Sequence, residues 1–160
     1  RRFALSIITN VFGGGMSSRL FQRVREELGL AYAVYAYQQF LASAGIAGVY
    51  VGTQPATADQ AEAAIREEYR KLAEEGLTED EVASGRQQLR GQVMLSLESP
   101  VSRMNRLANF ILHQLPYRTL DAVLSEINAV TREQVQALAA EFFAPERQTM
   151  VRLGPDTATA

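Results

Sequence analysis

Few residues of this chain could do chemistry, and most lie in one stretch, GGGMSSRLFQRVREELGLAYAVYAY, residues 13–37. Ser17 and Ser18 among glycines suggest a phosphate loop or a serine nucleophile. Neither pattern is met. A phosphate loop needs G-x-x-x-x-G-K-[ST] between a strand and a helix, and the stretch contains no lysine. The dinucleotide pattern G-x-G-x-x-G fails at position 18, which is serine. The nucleophile elbow G-x-S-x-G fails as well, because Gly15-Met16-Ser17-Ser18-Arg19 lacks its last glycine. A Ser-His-Asp triad would have to recruit His113, the single histidine. The simpler reading is a hinge between two helices, with Ser17 or Ser18 capping the second.

Arg25 and Tyr32, seven positions apart, are the other candidates. With Leu28 as the helix C-cap, Gly29 and Leu30 read as a Schellman ending. The Leu30 amide is then predicted to bond to the Arg25 carbonyl, with Leu30 packing on Val24. A rigid helix–turn–strand corner would hold Arg25 and Tyr32 close together. Both are hydrogen-bond donors, and a convergent pair suits an oxyanion or a substrate carbonyl. One such donor is typically worth about 2.7–4 kcal/mol of barrier. The pair supplies neither nucleophile nor general base. On spacing alone the plainer alternative comes first: Arg25 pairs with Glu26 or another surface acid, and Tyr32 packs.

The elements that must position these residues follow from periodicity. Phe3, Ile7 and Val11 recur at helical spacing and predict a helix over 3–12. Leu20, Phe21, Val24 and Leu28 form the stripe of a second, ending near Leu28. YAVYAYQQF predicts a strand over 31–40 and AGIAGVYVGT one over 44–53, joined as an antiparallel hairpin, with Gly48 weakening the strand or marking a bulge. TADQ, TEDE and TREQ read as capping boxes at Thr57, Thr78 and Thr131. They open helices over 58–75, from Thr78 to about Ser96, and over 132–143. Further helices are expected from Ser99-Pro100 to about His113 and over 119–128. RQTMVRLGP predicts a final strand over 147–155. This is an α+β fold with a largely antiparallel sheet, and three strands are few for so much helix.

The 160 residues fit one domain, with 16 basic residues against 18 acidic. That balance leaves no basic footprint for nucleic acid and no polybasic membrane stripe, and no apolar run reaches a membrane span. Cysteine is absent, which excludes disulfides and thiolate metal sites but leaves the compartment open. With one histidine, a self-contained zinc site is not expected.

FGGGMSSRLFQRVREELGLAYAVYAY closely resembles the second domain of the insulinase-like, or M16, zinc peptidases of the mitochondrial processing-peptidase type. The likeness continues through GVYVGT, LTEDEVASGRQQLRGQVMLSLES and VTREQVQALAAEFF. It implies a metallohydrolase-like domain covering 1–160, lacking one or more early strands, and the C-terminal part of a longer bacterial-type peptidase. In such peptidases two similar domains enclose a chamber. The first carries H-x-x-E-H and a distant Glu that bind zinc. The second carries an Arg and a Tyr, matched here by Arg25 and Tyr32, that hold the scissile carbonyl and steady the tetrahedral intermediate while zinc polarises the same carbonyl. H-x-x-E-H is absent here, and His113 in ILHQLPY reads as a helix-end or packing residue. The expected partners are therefore an H-x-x-E-H half, in the same chain or on another subunit, and a peptide substrate. A dimer is compatible with this. Alone, the chain is expected neither to bind catalytic zinc nor to cut peptides. The alternative within the family is a non-catalytic scaffold or inactive partner subunit.

Overall fold

The computed structural model describes residues 1–41 and 43–155. Helix α1, Arg2–Gly13, lies at the centre. Ala4, Ile7, Ile8 and Phe12 are buried, and Phe3, Leu5 and Val11 pack against the same core from its flanks. A helix apolar on most of its circumference belongs inside a protein, and α1 accordingly contacts elements on several sides.

Strands β1, Ala33–Phe40, and β2, Gly45–Gly52, form the predicted antiparallel hairpin, with Tyr35 opposite Tyr50 and Tyr37 opposite Gly48. Val34 points into the core. Gln38, further along, meets α1 through polar contacts: its amide donates to Ser6 Oγ at 2.7 Å, and Thr9 Oγ1 donates to its Oε1 at 3.2 Å. The outer face is aromatic, with Tyr35 stacked on Tyr50 at 5.1 Å. Gly48 marks no bulge. It pairs in regular register, and a Cβ there would lie 2.7 Å from the Tyr37 ring, so the missing side chain makes room for a tyrosine laid across the strand.

Helices α2, Ala58–Glu75, α3, Glu79–Ser96, α4, Pro100–Leu112, α5, Leu120–Asn128, and α6, Arg132–Phe142, complete the order. Helices α3, α5 and α6 pack on α1, and α2 packs on α6. The close α1–α3 approach depends on Gly85, where a Cβ would sit 2.7 Å from Ile7 Cγ2. Phe12, Tyr69 and Phe143 join the helices in an aromatic cluster, with Phe12 and Tyr69 centroids 5.0 Å apart. Burial there pushes the Tyr69 phenol up to about 12, so it remains neutral.

The boxes at Thr78 and Thr131 form in full, and Ser99 and Thr119 cap α4 and α5. The box expected at Thr57 does not form. A 3-10 turn, Pro55–Thr57, precedes α2, and the Thr57 hydroxyl is engaged with Thr53 Oγ1 at 2.8 Å and the Gln54 carbonyl at 3.3 Å.

The strand expected over 147–155 is also not formed. Pro145–Arg147 is a 3-10 turn, and the residues that follow are unpaired, with Val151 and Leu153 exposed. Arg152 is held by Asp59 and Glu62 at the start of α2, both at 2.8 Å. A strand exists only through its ladder, and this segment runs beside a helix rather than a sheet edge. The fold is α+β, helix-rich, with a two-stranded antiparallel sheet among the described residues.

Candidate functional site

The site is built on the segment from Gly13 to Tyr32. Gly13 is the last residue of α1, and a Cβ there would lie 2.4 Å from the Ala36 backbone nitrogen. The glycine lets the helix end rest on β1. Gly14 caps the helix at φ −90°, and a Cβ there would lie 2.6 Å from Asn10 Cα, so close approach, and not a left-handed turn, explains Gly13 and Gly14, whereas nothing crowds Gly15. Neither serine caps the next helix through its side chain. Ser18 Oγ instead donates to the Gly15 carbonyl at 2.6 Å and tightens the turn.

The following helix is wider than expected. Phe21–Glu27 is a π-helix, closed by a bond from the Leu28 amide to the Arg23 carbonyl at 3.2 Å. Such widened turns concentrate at functional sites. The widening moves the return bond by one residue: the Leu30 amide donates to the Val24 carbonyl at 2.9 Å, where a regular helix would have offered Arg25. Gly29 sits at φ 61°, as the turn requires. The Leu30 carbonyl accepts from Thr53 Oγ1 at 2.6 Å, and the Tyr32 amide donates to the Gly52 carbonyl at 2.8 Å. One bond back to its own helix and two to the end of β2 thus pin the corner.

Arg25 lies in the last helical turn and Tyr32 just before β1. The Arg25 guanidinium lies over the Phe21 ring at 4.7 Å, and its nearest acid is Glu26 at 3.9 Å, beyond hydrogen-bond length. Its side chain is 44% exposed, and Tyr32 is 86% exposed. The plainer alternative is thus only half met: Arg25 has a loose contact with Glu26, and Tyr32 does not pack. Phe21 also borders a cleft of about 320 Å³ between the Gly13–Met16 turn and β1, lined further by Val34 and Tyr35. A larger opening beside Arg86, Arg90 and Asn128 shares no residue with the corner. There Arg86 Nη1 donates to the Asn128 and Val130 carbonyls at 3.2 Å and closes the end of α5.

One contact was not legible in the motif. Arg19 forms a two-pronged bridge to Glu81, with Nε to Oε1 and Nη2 to Oε2 both at 2.6 Å, and Nη2 also reaches the Gly76 carbonyl at 3.0 Å. Burial raises the Glu81 carboxyl, but the hydrogen bonds from Arg19 and from the Thr78 amide outweigh it and hold the group below the ordinary carboxylate value. The only sequence signal was that Glu81 belongs to a capping box; its partner lies 62 residues away.

No cluster of three or more His, Cys, Asp or Glu side chains able to hold a metal ion exists among the described residues. His113 is exposed at the end of α4. The donor set of the described residues does not fit a catalytic zinc ion.

A sequence profile described as the peptidase M16 inactive domain matches residues 1–89. The chain belongs to the M16 peptidase family. An uncharacterized zinc protease of Bacillus subtilis is 41% identical over 143 residues, which is 89% of this chain and 35% of that protein. One from Streptomyces coelicolor is 39% identical over 155 residues, 97% of this chain and 34% of that protein. The chain therefore spans about a third of the length of these M16 relatives. A conserved protein from Enterococcus faecalis superposes with a TM-score of 0.74 at 28% identity, over 86% of this chain and 32% of the other. An inactive peptidase domain from Bordetella parapertussis gives a TM-score of 0.82 over 99% of this chain and 86% of the other, and at 17% identity it supports the M16 fold alone.

Proposed function

We propose that residues 1–160 form the C-terminal, substrate-holding domain of an M16 zinc peptidase, in which Arg25 and Tyr32 donate hydrogen bonds to the scissile carbonyl and to the oxyanion that develops on it. The observation that carries this reading is the corner itself: two donors on a pinned backbone, neither satisfied by a neighbouring acceptor among the described residues. Donors held in place before the reaction need no reorganisation when charge develops. In this reading the chain's own residues bind and orient, and the described residues hold no cluster of metal ligands. The metal ligands and the general base belong to an H-x-x-E-H half outside this chain, as the relatives' length and their description as zinc proteases support.

The test uses the assembled peptidase. Arg25→Ala and Tyr32→Phe should each lower kcat/KM by about 100- to 1,000-fold, with bound zinc unchanged by elemental analysis. Unaltered turnover in both variants removes the pair from the mechanism.

A second reading, an inactive partner or scaffold subunit, is equally compatible with the inactive-domain profile. Mass spectrometry of the purified native protein decides between them. An H-x-x-E-H sequence in the same polypeptide or a stoichiometric partner supports the peptidase, and its absence supports the scaffold.

A further inference from the structure

We infer that the Arg19–Glu81 bridge is a positioning device for the corner that presents Arg25 and Tyr32; the inference rests on the function proposed above. Arg25 makes no hydrogen bond that could set its own place among the described residues, so its position is inherited from its backbone. That backbone is a short helix of seven residues widened to i→i−5 bonding, a rare geometry that seldom extends beyond a turn or so, and its place in the fold depends on what holds its ends. It is anchored at both ends. At the far end the Leu30 amide and carbonyl are held by Val24 and Thr53. At the near end the buried Leu20 side chain fixes one face, and Arg19 grips Glu81 and the Gly76 carbonyl.

The grip differs in kind from the other ion pairs. Most of those join residues three or four apart on one helix, or join exposed side chains across the surface. Arg19 and Glu81 lie 62 residues apart, are 20% and 27% exposed, and meet through two parallel bonds, a pairing that Arg70 and Glu67 make only at the surface of a single helix. Paired planar groups of this type fix orientation as well as distance. Glu81 Oε2 also accepts from the Thr78 amide at 2.8 Å, closing the α3 capping box. One carboxylate therefore ends the α2–α3 turn, starts α3 and holds the helix that carries Arg25. Arg19 and Glu81 do not touch substrate in this account; they act through Arg25 and Tyr32.

Two measurements on the full-length protein test this. Glu81→Gln retains a capping-box residue and removes the ionic grip. Amide hydrogen exchange at Leu30 and Tyr32 should then accelerate about 10-fold or more, and unchanged exchange overturns the inference whatever the activity. In the assembled peptidase, Glu81→Gln and Arg19→Gln should lower kcat about 10-fold in the wild-type background. Combined with the Arg25→Ala/Tyr32→Phe double variant they should add little to the loss of residual turnover, because residues acting through the same groups are not additive. A full additional loss in that double-variant background shows a merely structural role and overturns the inference. If Arg25→Ala itself leaves turnover intact, the proposed function fails, and the exchange measurement still decides the role of the bridge.

Discussion

At the scale of single residues, charge and hydrogen bonding at Glu81 have a consequence for acid stability. The folded protein holds this carboxyl below its ordinary value, so in the window between the two values the unfolded chain binds more protons. The contribution is complete above the ordinary carboxylate value and is lost as pH falls through the folded one. Glu81→Gln should therefore flatten the acid limb of a stability–pH profile followed by urea unfolding, while the profile above neutrality keeps its shape. An unchanged acid limb would show that the bridge does not form in solution. Arg25 responds differently because it has no such partner among the described residues. Its contacts are a phenyl face and a distant carboxylate, so its substitution should affect turnover far more than stability.

At the scale of elements, capping and close approach give opposite expectations for motifs that look alike in the sequence. Thr131 bonds the Gln134 amide and Gln134 returns the bond, whereas Thr57 is occupied elsewhere. Thr131→Ala should lower stability by about 1 kcal/mol, and Gln60→Ala should leave it nearly unchanged, both read from denaturant midpoints. The difference arises because Pro55 starts a 3-10 turn that delivers the chain to α2 already wound. Gly13→Ala should be the more damaging change. Its Cβ would meet backbone, which cannot swing aside, so a loss of about 1–3 kcal/mol is expected, with the α1–β1 contact that seats the corner disturbed as well. A neutral Gly13→Ala would mean that α1 can slide away from β1 freely.

At the scale of the whole molecule, stability is uneven. Helix α1 is sealed by Ile7, Ile8 and Phe12, while α4 buries none of its residues and leaves Val101, Met104, Leu107 and Ile111 exposed. Local opening is governed by the buried contacts that must be broken. Hydrogen exchange should therefore proceed fastest in Pro100–Leu112 and slowest in Arg2–Gly13; equal protection in both would contradict this packing. The corner lies between these extremes. Its helix is anchored by Leu20 and Val24, both fully buried, while Arg25 and Tyr32 remain exposed.

Much of this was already determined by local chemistry. The helices over 3–12, 58–75 and 79–96, the hairpin with its register-setting alternation, and the caps at Thr78 and Thr131 follow from periodicity and side-chain reach, which operate within a few residues. Gly29 was legible for the same reason, since few other residues accept its φ of 61°. Arg25 and Tyr32 could be placed on one corner because their spacing is bridged by one turn, while a role for the pair came only from the resemblance to the M16 domain. What tertiary structure decided was everything that depends on a distant neighbour. The residues over 148–155 have a strand's composition but lie beside α2, and without a sheet edge they form no strand. Gly48 keeps its register because Tyr37 lies across it. The helix bearing Arg25 is widened to π geometry, and the grip of Arg19 on Glu81 spans 62 residues. Ladders, ring contacts and bidentate ion pairs form between groups that only folding brings together, and no periodicity along the chain encodes which groups those are.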